Sequence, residues 1–484
     1  MALFKTENLT FRYPGSDGNA LNEINIEIGR GEFILVMGGT GSGKSTLLRL
    51  LAPAVSPYGK ISGNIINNSD SAGFVAQNTD ASFVSETVRG ELAFSLENQR
   101  LDNNKIALKI GETASFFNLT KLLDRKISTL SGGEKAVTAI ASAMINDADA
   151  IILDEPTAQL DSKSAFDLIN ILKRVNSELG VTVIMSTHLS DGVIEMCDRL
   201  LVLDNGRAVF FENPVNVNER VLPFYPLSAR LFKERPLSVK QAVKYAAALK
   251  EKPMENSGDI GISEADVILK NITFAYDRGE KDVLDGLSFN AYSKKIHCVI
   301  GANGSGKTTL LKIIAGIRKP YSGKVKVKGR VAYLPQNPRY LFTRDTVGEE
   351  IDRQTAALFG LDEFSDRHPY DLSTGQMQKL ALALLSCQSY DILLLDEPSK
   401  GLDVFFKSEL TRYLKSLNKT VIIVSHDLDF VGDVADFVSF LSDGAMTAAG
   451  GRRKVLSSLG YYTTQLRRIT KRYLASAVSA EDLL

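Results

Sequence analysis

Two glycine-rich segments of the sequence combine residue types and a spacing that can hold a phosphate group. Residues 38–45 are GGTGSGKS and residues 301–308 are GANGSGKT, so both match G-x-x-x-x-G-K-[S/T]. Glycines let such a loop curl so that successive backbone N–H groups face a phosphate, and the start of a following helix adds partial positive charge. Lys44 and Lys307 would reach the β- and γ-phosphates of a nucleotide. One match could be an ordinary glycine-rich turn, but two matches in the same context make that explanation weak.

Two acidic pairs lie further along the chain, each at the end of an apolar run. Asp154 and Asp396 would hold Mg²⁺ through water, while Glu155 and Glu397 follow immediately. Adjacent side chains diverge at the end of a strand, so one carboxylate can serve the metal while the other polarises the attacking water. Acidic residues also cap loops, but two such pairs, each behind a phosphate loop, favour the catalytic interpretation.

The chain contains four histidines, and two of them end the apolar run that follows each acidic pair. His188 and His426 could hydrogen-bond a phosphate oxygen and change protonation near neutral pH. We therefore predict that they are catalytic together with the two glutamates. His297 and His368 carry no comparable pattern and are interpreted as ordinary surface histidines.

Oxygen-bearing side chains near the loops are candidate Mg²⁺ ligands, because this ion prefers oxygen. The loops supply the hydroxyls of Ser45 and Thr308. A neutral glutamine amide between the loop and the acidic strand could contact the ion or a water, although a loop glutamine by itself is uninformative. The predicted metal ligands are Ser45, Gln77, Asp154, Thr308, Gln336 and Asp396.

These motifs occur twice, in the same order, and therefore reveal a long internal repeat. The further matching pairs are FRYPG and FAYDRG, FVAQN and YLPQN, TLSGGE and DLSTGQ, IILDEP and LLLDEP, and MSTH and VSHD. Each copy exceeds ~200 residues, which is far longer than a solenoid repeat. The sequence therefore predicts a duplicated domain.

Short apolar runs precede the chemistry-bearing residues and are typical of buried parallel strands. EFILVMG and KIHCVIG end at the phosphate loops, and the following STLLRLLA and TTLLKIIAG have helical spacing. AIILDEP, VTVIMSTH, DILLLDEP and TVIIVSH indicate further strands with a polar residue at the C-terminal end. This order predicts an α/β fold: two tandem P-loop nucleotide-binding domains, each with a mostly parallel sheet and ligand chemistry at the strand ends.

The predicted boundary between the domains lies in KEKPMENSGDIGISEAD, which is rich in Gly, Ser, Pro and acidic residues, as flexible linkers are. The preceding SVKQAVKYAAALK has the pattern of an amphipathic helix that would close the first half. We predict a first domain at 1–250, a linker at 251–264 and a second domain at 265–484.

Composition restricts the partners. Lysine plus arginine equals aspartate plus glutamate at 57 each, so nothing indicates nucleic acid as a main partner. The three cysteines are scattered, which argues against a disulfide framework or zinc site and fits a reducing cytosol. Apolar runs stay shorter than the ~18 residues of a membrane-spanning helix, and the start lacks a signal-peptide pattern. A role at a membrane would therefore be exerted from the water side.

The phosphate loop, glutamine, LSGGE, LDEP, LD and histidine, in this order, resemble the ATP-binding-cassette (ABC) family across nearly all of both halves. LSGGE is the most specific of these motifs. The resemblance implies a helical signature subdomain in each half and a head-to-tail intramolecular pair with ATP at two composite sites. Asp161 and Asp403 match the aspartate that links the two sites in that family.

In such a pair, the phosphate loop of one half faces the LSGG segment of the other. The first site would combine Lys44, Asp154, Glu155 and His188 with Ser373 and Gly375. The second site would combine Lys307, Asp396, Glu397 and His426 with Ser131 and Gly133. Tyr13 and Tyr276 could stack on adenine, although each alone is more often a core or surface aromatic. The expected ATP contacts are Tyr13, Gly38, Gly39, Thr40, Gly41, Ser42, Gly43, Lys44, Ser45, Thr46, Ser131 and Gly133 from the first half, and Tyr276, Gly301, Ala302, Asn303, Gly304, Ser305, Gly306, Lys307, Thr308, Thr309, Ser373 and Gly375 from the second.

The second signature departs from the family pattern, since Thr374 replaces a glycine in LSTGQ. A β-branched residue adds bulk and restricts the backbone, so we expect weaker closure over the ATP of the first half. Both halves keep the lysine, glutamate and histidine. The expectation is therefore two hydrolytic sites.

Segments after the two glutamines, ETVRGELAF and DTVGEEI, resemble the ATPase components of energy-coupling-factor importers. Such importers take up vitamins or transition-metal ions with a membrane coupling subunit and a membrane substrate-binding subunit. The resemblance implies that residues 78–98 and 337–354 form grooves for the coupling helices, and that the chain is peripheral at the cytoplasmic face of the membrane. The basic C-terminal residues would then touch anionic lipid or the membrane subunit, but a solvated helix face is the more ordinary interpretation. These residues are Arg452, Arg453, Lys454, Arg467, Arg468, Lys471 and Arg472.

Other tandem-cassette proteins remain as alternatives. A soluble translation factor acting on ribosomes usually has a long charged helical insert between its cassettes, whereas the joint here is short. A ribosome-recycling ATPase would need an N-terminal cysteine cluster, and DNA-repair relatives carry a long coiled coil. Tandem sugar-importer ATPases resemble this chain in architecture, but not in the ETVRGELAF segment.

Overall fold

A computed structural model describes residues 2–16, 18–158, 160–188, 190–253, 264–277 and 281–484. The chain forms two compact units, Met1–Ser238 and Val239–Leu484. The second unit thus includes residues 239–250, which the sequence pattern placed in the first domain. Residues 254–263, which make up most of the predicted linker, lie outside the described residues. The helices in the described ranges fall short of the length and apolarity needed to cross a bilayer.

The first unit is centred on a six-stranded sheet, in which five neighbouring strands run parallel and the edge strand β9 runs antiparallel. Its order is β5-β6-β7-β3-β8-β9. The strands are β3 (Phe33–Gly38), β5 (Ala72–Val75), β6 (Ala150–Asp154), β7 (Thr182–Ser186), β8 (Arg199–Asp204) and β9 (Arg207–Glu212). Central strands β3, β6 and β7 are buried along their whole length, which is why they appear in the sequence as continuous apolar runs. These strands were predicted.

A smaller antiparallel sheet, which the sequence analysis did not predict, begins the first unit. Its order is β2-β1-β4, and its strands are β1 (Ala2–Arg12), β2 (Leu21–Gly29) and β4 (Lys60–Asn67). The helices of this unit are α1 (Lys44–Leu51), α2 (Val88–Asn98), α3 (Asn103–Phe116), α4 (Gly132–Met144), α5 (Ser162–Leu179) and α6 (Leu227–Leu231). Helix α5 begins where the Asp161 carboxylate accepts hydrogen bonds from the N–H groups of residues 163 and 164, and it ends at Gly180.

The second unit repeats this architecture. Its six-stranded sheet has the order β14-β15-β16-β12-β17-β18, and its antiparallel sheet has the order β11-β10-β13. The strands are β10 (Ala265–Phe274), β11 (Leu284–Tyr292), β12 (Ile296–Ile300), β13 (Ser322–Val327), β14 (Val331–Leu334), β15 (Ile392–Asp396), β16 (Thr420–Val424), β17 (Phe437–Ser442) and β18 (Ala445–Gly451). The predicted tandem α/β fold is confirmed.

The helices of the second unit differ most from the first between the glutamine and the signature. They are α7 (Val239–Ala242), α8 (Lys307–Ile314), α9 (Val347–Glu350), α10 (Arg353–Leu358), α11 (Thr374–Ser386), α12 (Val404–Ser416), α13 (Leu428–Val434), α14 (Arg452–Ser458) and α15 (Gln465–Thr470). Here α9 and α10 replace the much longer α2 and α3 of the first unit. The helical subdomain of the second unit is therefore smaller.

Residues 239–253 are built into the second unit. In place of one long amphipathic helix, α7 is short and is followed by a 3-10 turn at Ala246–Ala248. The carboxylate of Glu251 accepts hydrogen bonds from the backbone N–H groups of residues 475–477 at 2.9–3.0 Å. The start of the predicted linker is thus fixed to the C-terminal segment.

The basic C-terminal segment is only partly the solvated face that its charge pattern indicated. Arg452 lies 2.5 Å from the buried carboxylate of Asp482, and Arg453 lies 3.6 Å from Glu251. Arg467 donates a hydrogen bond to the carbonyl oxygen of Leu474. These three side chains hold the end of the chain together, so the prediction of a solvated face was wrong for them. Arg468, Lys471 and Arg472 are exposed as predicted.

His297 is a second correction to the sequence analysis. It lies within β12 and is only 3% exposed, where a surface histidine was predicted. Its Nε2 accepts a hydrogen bond from the backbone N–H of Tyr292 over 2.8 Å, and its ring stacks on Phe437. Burial lowers the pKa of His297 to about 4, so the ring is neutral at pH 7. His368 is exposed, as expected.

Candidate active site

The first phosphate loop joins β3 to α1. Gly43 precedes the helix with a φ of +99°, and a Cβ atom there would lie 2.7 Å from the carbonyl oxygen of Ala20, so a side chain is excluded. Among the described residues, no side chain caps α1. The N–H groups at the start of a helix favour a phosphate. The ammonium of Lys44 donates hydrogen bonds to the carbonyl oxygens of Gly38 and Gly39, each over 3.0 Å. The loop therefore holds the lysine charge at its centre.

The second phosphate loop joins β12 to α8 with the same geometry. Gly306 precedes the helix with a φ of +103°. The ammonium of Lys307 donates to the carbonyl oxygens of Gly301 over 3.0 Å and Ala302 over 2.8 Å. The remaining loop residues, Thr40, Gly41 and Ser42 in the first unit and Asn303, Gly304 and Ser305 in the second, occupy equivalent places.

The aspartates at the ends of β6 and β15 each lie against a loop hydroxyl. Ser45 donates a hydrogen bond to Asp154 over 3.0 Å, and Thr308 donates to Asp396 over 3.2 Å. Both carboxylates are nearly inaccessible, at 2% and 1% exposure, and burial raises the pKa of each. Each unit therefore places a buried carboxylate against a hydroxyl group of its phosphate loop.

The carboxylate of Glu155 lies between His188, which was predicted to be catalytic, and Gln77, which was predicted to bind the metal. Nε2 of His188 is 2.8 Å from Oε1 of Glu155, and Nε2 of Gln77 donates a hydrogen bond to Oε2 over 2.9 Å. The backbone of Glu155 is left-handed, with a φ of +49°, which is unfavourable for a residue with a Cβ atom. Strain of this kind is common where a side chain must be aimed at a reactive group.

Glu397 has the same strained backbone, with a φ of +54°, but different neighbours. Its Oε2 accepts a hydrogen bond from the backbone N–H of His426 over 3.1 Å, and Nε2 of His426 lies 3.3 Å from Oε1. Burial raises the pKa of Glu397 to about 7. Gln336 is exposed, so the second unit does not bring its glutamine to the glutamate as the first unit does.

The two tyrosines predicted to contact adenine lie beside the first turn of the helix after each phosphate loop. Tyr13 hydrogen-bonds Thr46 over 3.1 Å, and Tyr276 hydrogen-bonds Thr309 over 3.0 Å. The rings remain 37% and 43% exposed. Each ring therefore has an accessible face at the edge of the loop.

The signature segments begin helices α4 and α11. Ser131 and Glu134 form a reciprocal capping box, and Ser373 forms the same box with Gln376. Gln376 thus preserves the cap despite the departure from LSGGE. A Cβ atom on Gly133 would lie 3.0 Å from both side-chain atoms of Ser164, so the glycine permits close packing against α5. Gly375 is buried, and the side chain of Thr374 lies outside the described part of the chain.

Sequence reasoning missed several residues that hold the site. Ser186 and Tyr333 hydrogen-bond the buried aspartates, at 2.9 and 3.4 Å respectively. Glu91 accepts hydrogen bonds from the N–H groups of residues 84 and 85, and Glu350 does the same for residues 343 and 344. The sequence could have indicated Glu91 and Glu350, because each is the last residue of a T-V-x-x-E pattern that both units share.

The fold and the phosphate loops define a class: a P-loop protein with two nucleotide-binding domains. The sequence profile of the ABC transporter family matches residues 21–158 and 284–400, one stretch in each unit. A protein of Bacillus cereus, assigned by its name to the ABC transporter ATP-binding proteins, is 34% identical over 98% of this chain and 96% of its own length. A protein of the same description from Methanosarcina mazei is 30% identical over 94% of this chain and 90% of its own.

The chain therefore belongs to the ABC transporter ATP-binding family: it is a tandem-cassette ATPase that binds and hydrolyses ATP. An archaeal ribosome recycling factor, solved in complex with a ribosomal stalk protein, has a similar fold with a TM-score of 0.64. The structural match covers 93% of this chain and 91% of the recycling factor, and the two sequences are 23% identical over it. That likeness concerns the fold of two cassettes on one polypeptide.

Proposed function

We propose that this chain is the ATPase component of an energy-coupling-factor importer, working at the cytoplasmic face of a membrane with a coupling subunit and a substrate-binding subunit. The observation that carries the proposal is the T-V-x-x-E motif after each glutamine. In both units the threonine caps a helix and the glutamate binds two backbone N–H groups of the preceding loop. The pattern that resembles these importers is therefore supported by the same contacts twice.

These contacts give the motif a mechanical role. Glu91 is only 6% exposed and fixes the loop at residues 84 and 85, where Val84 remains 65% exposed. In the second unit, Tyr340 precedes the motif and is 79% exposed. An exposed apolar or aromatic side chain next to a loop held by such hydrogen bonds suits a hydrophobic partner helix. The proposed grooves are residues 78–98 and 337–354.

The geometry within each unit supports the proposed catalytic roles. Glu155 and Glu397 would polarise the attacking water, while His188 and His426 would orient the glutamates and contact the γ-phosphate. Lys44 and Lys307 would neutralise phosphate charge. The LSGG-type segment of the opposite unit, with Ser131 and Gly133 or Ser373 and Gly375, would complete each composite site. Two such sites would make both halves hydrolytic.

The oxygen groups fit Mg²⁺, which takes one or two carboxylates together with substrate phosphates. Ser45 with Asp154, and Thr308 with Asp396, would hold the ion, with Gln77 and Gln336 as mobile contacts. Among the described residues, no group of three or more His, Cys, Asp or Glu forms a separate metal cage. When bound, the ion would offset negative charge on the transferred phosphate.

Affinity purification from native membranes, with mass spectrometry of the co-purifying proteins, tests the proposal. We expect two multispanning membrane proteins. Glu91→Gln combined with Glu350→Gln should loosen both loops and reduce this recovery, while Glu97→Gln, an exposed glutamate on the same helix as Glu91, should not. Recovery of ribosomes, or of no membrane protein, would overturn the importer assignment and favour the soluble alternative. Recovery of a sugar-importer membrane pair would favour the third candidate.

A further inference from the structure

The hydroxyl of Ser186 connects the two acidic residues of the first unit. Ser186 ends β7 and is completely buried. Its Oγ donates a hydrogen bond to Oδ1 of Asp154 over 2.9 Å and accepts one from the backbone N–H of Glu155, also over 2.9 Å. One small group therefore touches the aspartate proposed to hold Mg²⁺ and the backbone of the glutamate proposed to act on water.

The second unit lacks this group. Asp154 pairs with Ser186 across the parallel strands β6 and β7, and Asp396 pairs in the same register with Val424. In the second unit the N–H of Glu397 donates to the carbonyl oxygen of Val424 over 2.8 Å. The backbone thus supplies the acceptor that the serine hydroxyl supplies in the first unit.

Besides the hydroxyl of Thr308, Asp396 has a second hydrogen-bond donor, and this donor lies on a different strand from the one that serves Asp154. Tyr333, on the neighbouring strand β14, donates to Oδ2 over 3.4 Å, whereas the corresponding residue of the first unit is Phe74, which has no hydroxyl. The two aspartates are therefore oriented from opposite neighbouring strands, and only the serine reaches the glutamate backbone as well.

We propose that Ser186 is a positioning residue of the first unit, and that hydrolysis by Glu155 depends on its hydroxyl while hydrolysis by Glu397 has no equivalent dependence. The inference rests on the proposed roles of Asp154 and Glu155. Without the hydroxyl, a buried N–H would lose its acceptor at a residue whose left-handed backbone is already unfavourable. Asp154 would at the same time lose one of the two hydroxyls that orient it.

The test uses the full chain in two backgrounds. Glu397→Gln leaves the first glutamate to hydrolyse ATP, and Glu155→Gln leaves the second. In the first background, Ser186→Ala should lower kcat by about tenfold, the effect of losing one hydrogen bond to a charged group, while KM for ATP stays within about twofold. Ser186→Thr, which keeps a hydroxyl, should recover most of the loss. In the second background, the same substitution, Ser186→Ala, should leave kcat within about twofold.

Two further measurements separate the possible failures. ATP-binding stoichiometry of Ser186→Ala should equal that of its parent; a fall in stoichiometry that matches the fall in kcat would mean simple misfolding and would overturn the proposal. Unchanged kcat in Ser186→Ala would also overturn it. If Glu155→Gln by itself left hydrolysis by the first unit intact, the proposed catalytic roles would fail first, and the positioning role with them.

Discussion

Nε2 of Gln77 donates a hydrogen bond to Oε2 of Glu155 over 2.9 Å. Gln77 immediately precedes the segment proposed to receive a membrane subunit, so this bond joins that segment to the carboxylate proposed to act on water. A displacement of the loop would remove one polar partner of the carboxylate. In the second unit the corresponding residue, Gln336, is exposed. Coupling between partner and chemistry would therefore be stronger through the first unit.

Both glutamates should contribute to turnover. Glu155→Gln and Glu397→Gln should each lower steady-state ATP hydrolysis by roughly half, because each removes one of two general bases. The double variant should lose about 10²–10³-fold, in the range expected for general base catalysis. A phosphate-release assay measures this, with ATP binding as the control for folding. Abolished turnover in Glu397→Gln together with full activity in Glu155→Gln would contradict two hydrolytic sites.

Glu251 should stabilise the second unit. Its carboxylate accepts three backbone hydrogen bonds from residues 475–477, and these outweigh the effect of burial and lower the pKa of Glu251. Glu251→Ala should reduce the free energy of unfolding by about 1–3 kcal/mol, measured in urea. Because the folded pKa is lowered, this contribution is present above pH ~4.5 and disappears as the pH falls below it.

The matched control is Glu481→Ala. Glu481 forms an exposed ion pair with Lys415, and such pairs contribute at most about 1 kcal/mol. An equal loss in the two variants would mean that residues 239–253 are not anchored through Glu251. Proteolysis near residue 253 should also become faster in Glu251→Ala alone.

The parallel strands, phosphate loops and acidic strand ends could be predicted because each has a local signature: an apolar run, a glycine spacing or a terminal carboxylate. The antiparallel sheets were not predicted, since β1 and β4 have neither a continuous apolar run nor a regular alternation and pair across distant parts of the chain. Ser186 and Glu251 were missed for a related reason. Their roles arise from partners far away in sequence, which composition and spacing do not reveal.

His297 shows a different limit and leads to a pH prediction. KIHCVIG was predicted to be a buried strand, but its histidine was interpreted separately as a surface residue. In the folded protein the pKa of His297 is about 4, well below the ~6.5 of an exposed histidine. Between these values the unfolded chain takes up a proton that the folded chain does not. The free energy of unfolding should therefore fall by about 2 kcal/mol from this residue between pH 7.5 and pH 5.

Urea unfolding of His297→Phe and of the wild type at both pH values measures this contribution. The variant should lose less stability on acidification, because the titrating group is gone and the stacking on Phe437 is retained. His368→Phe is the control, since His368 is exposed, and it should follow the wild type. Identical pH dependence in His297→Phe and wild type would show that His297 does not titrate on unfolding.

Gly133 should be intolerant of a side chain because of Ser164. A Cβ atom would lie 3.0 Å from Cβ and Oγ of Ser164, whose hydroxyl also donates to Asp161, the cap of α5. Gly133→Ala should therefore destabilise the first unit by about 1–3 kcal/mol, as overpacking does, and slow ATP hydrolysis. Adding Ser164→Gly removes both clashing atoms and should restore stability, whereas adding Ser164→Ala keeps the Cβ and should not. Equal rescue by the two second substitutions would show that the clash is made by Oγ of Ser164 and not by its Cβ.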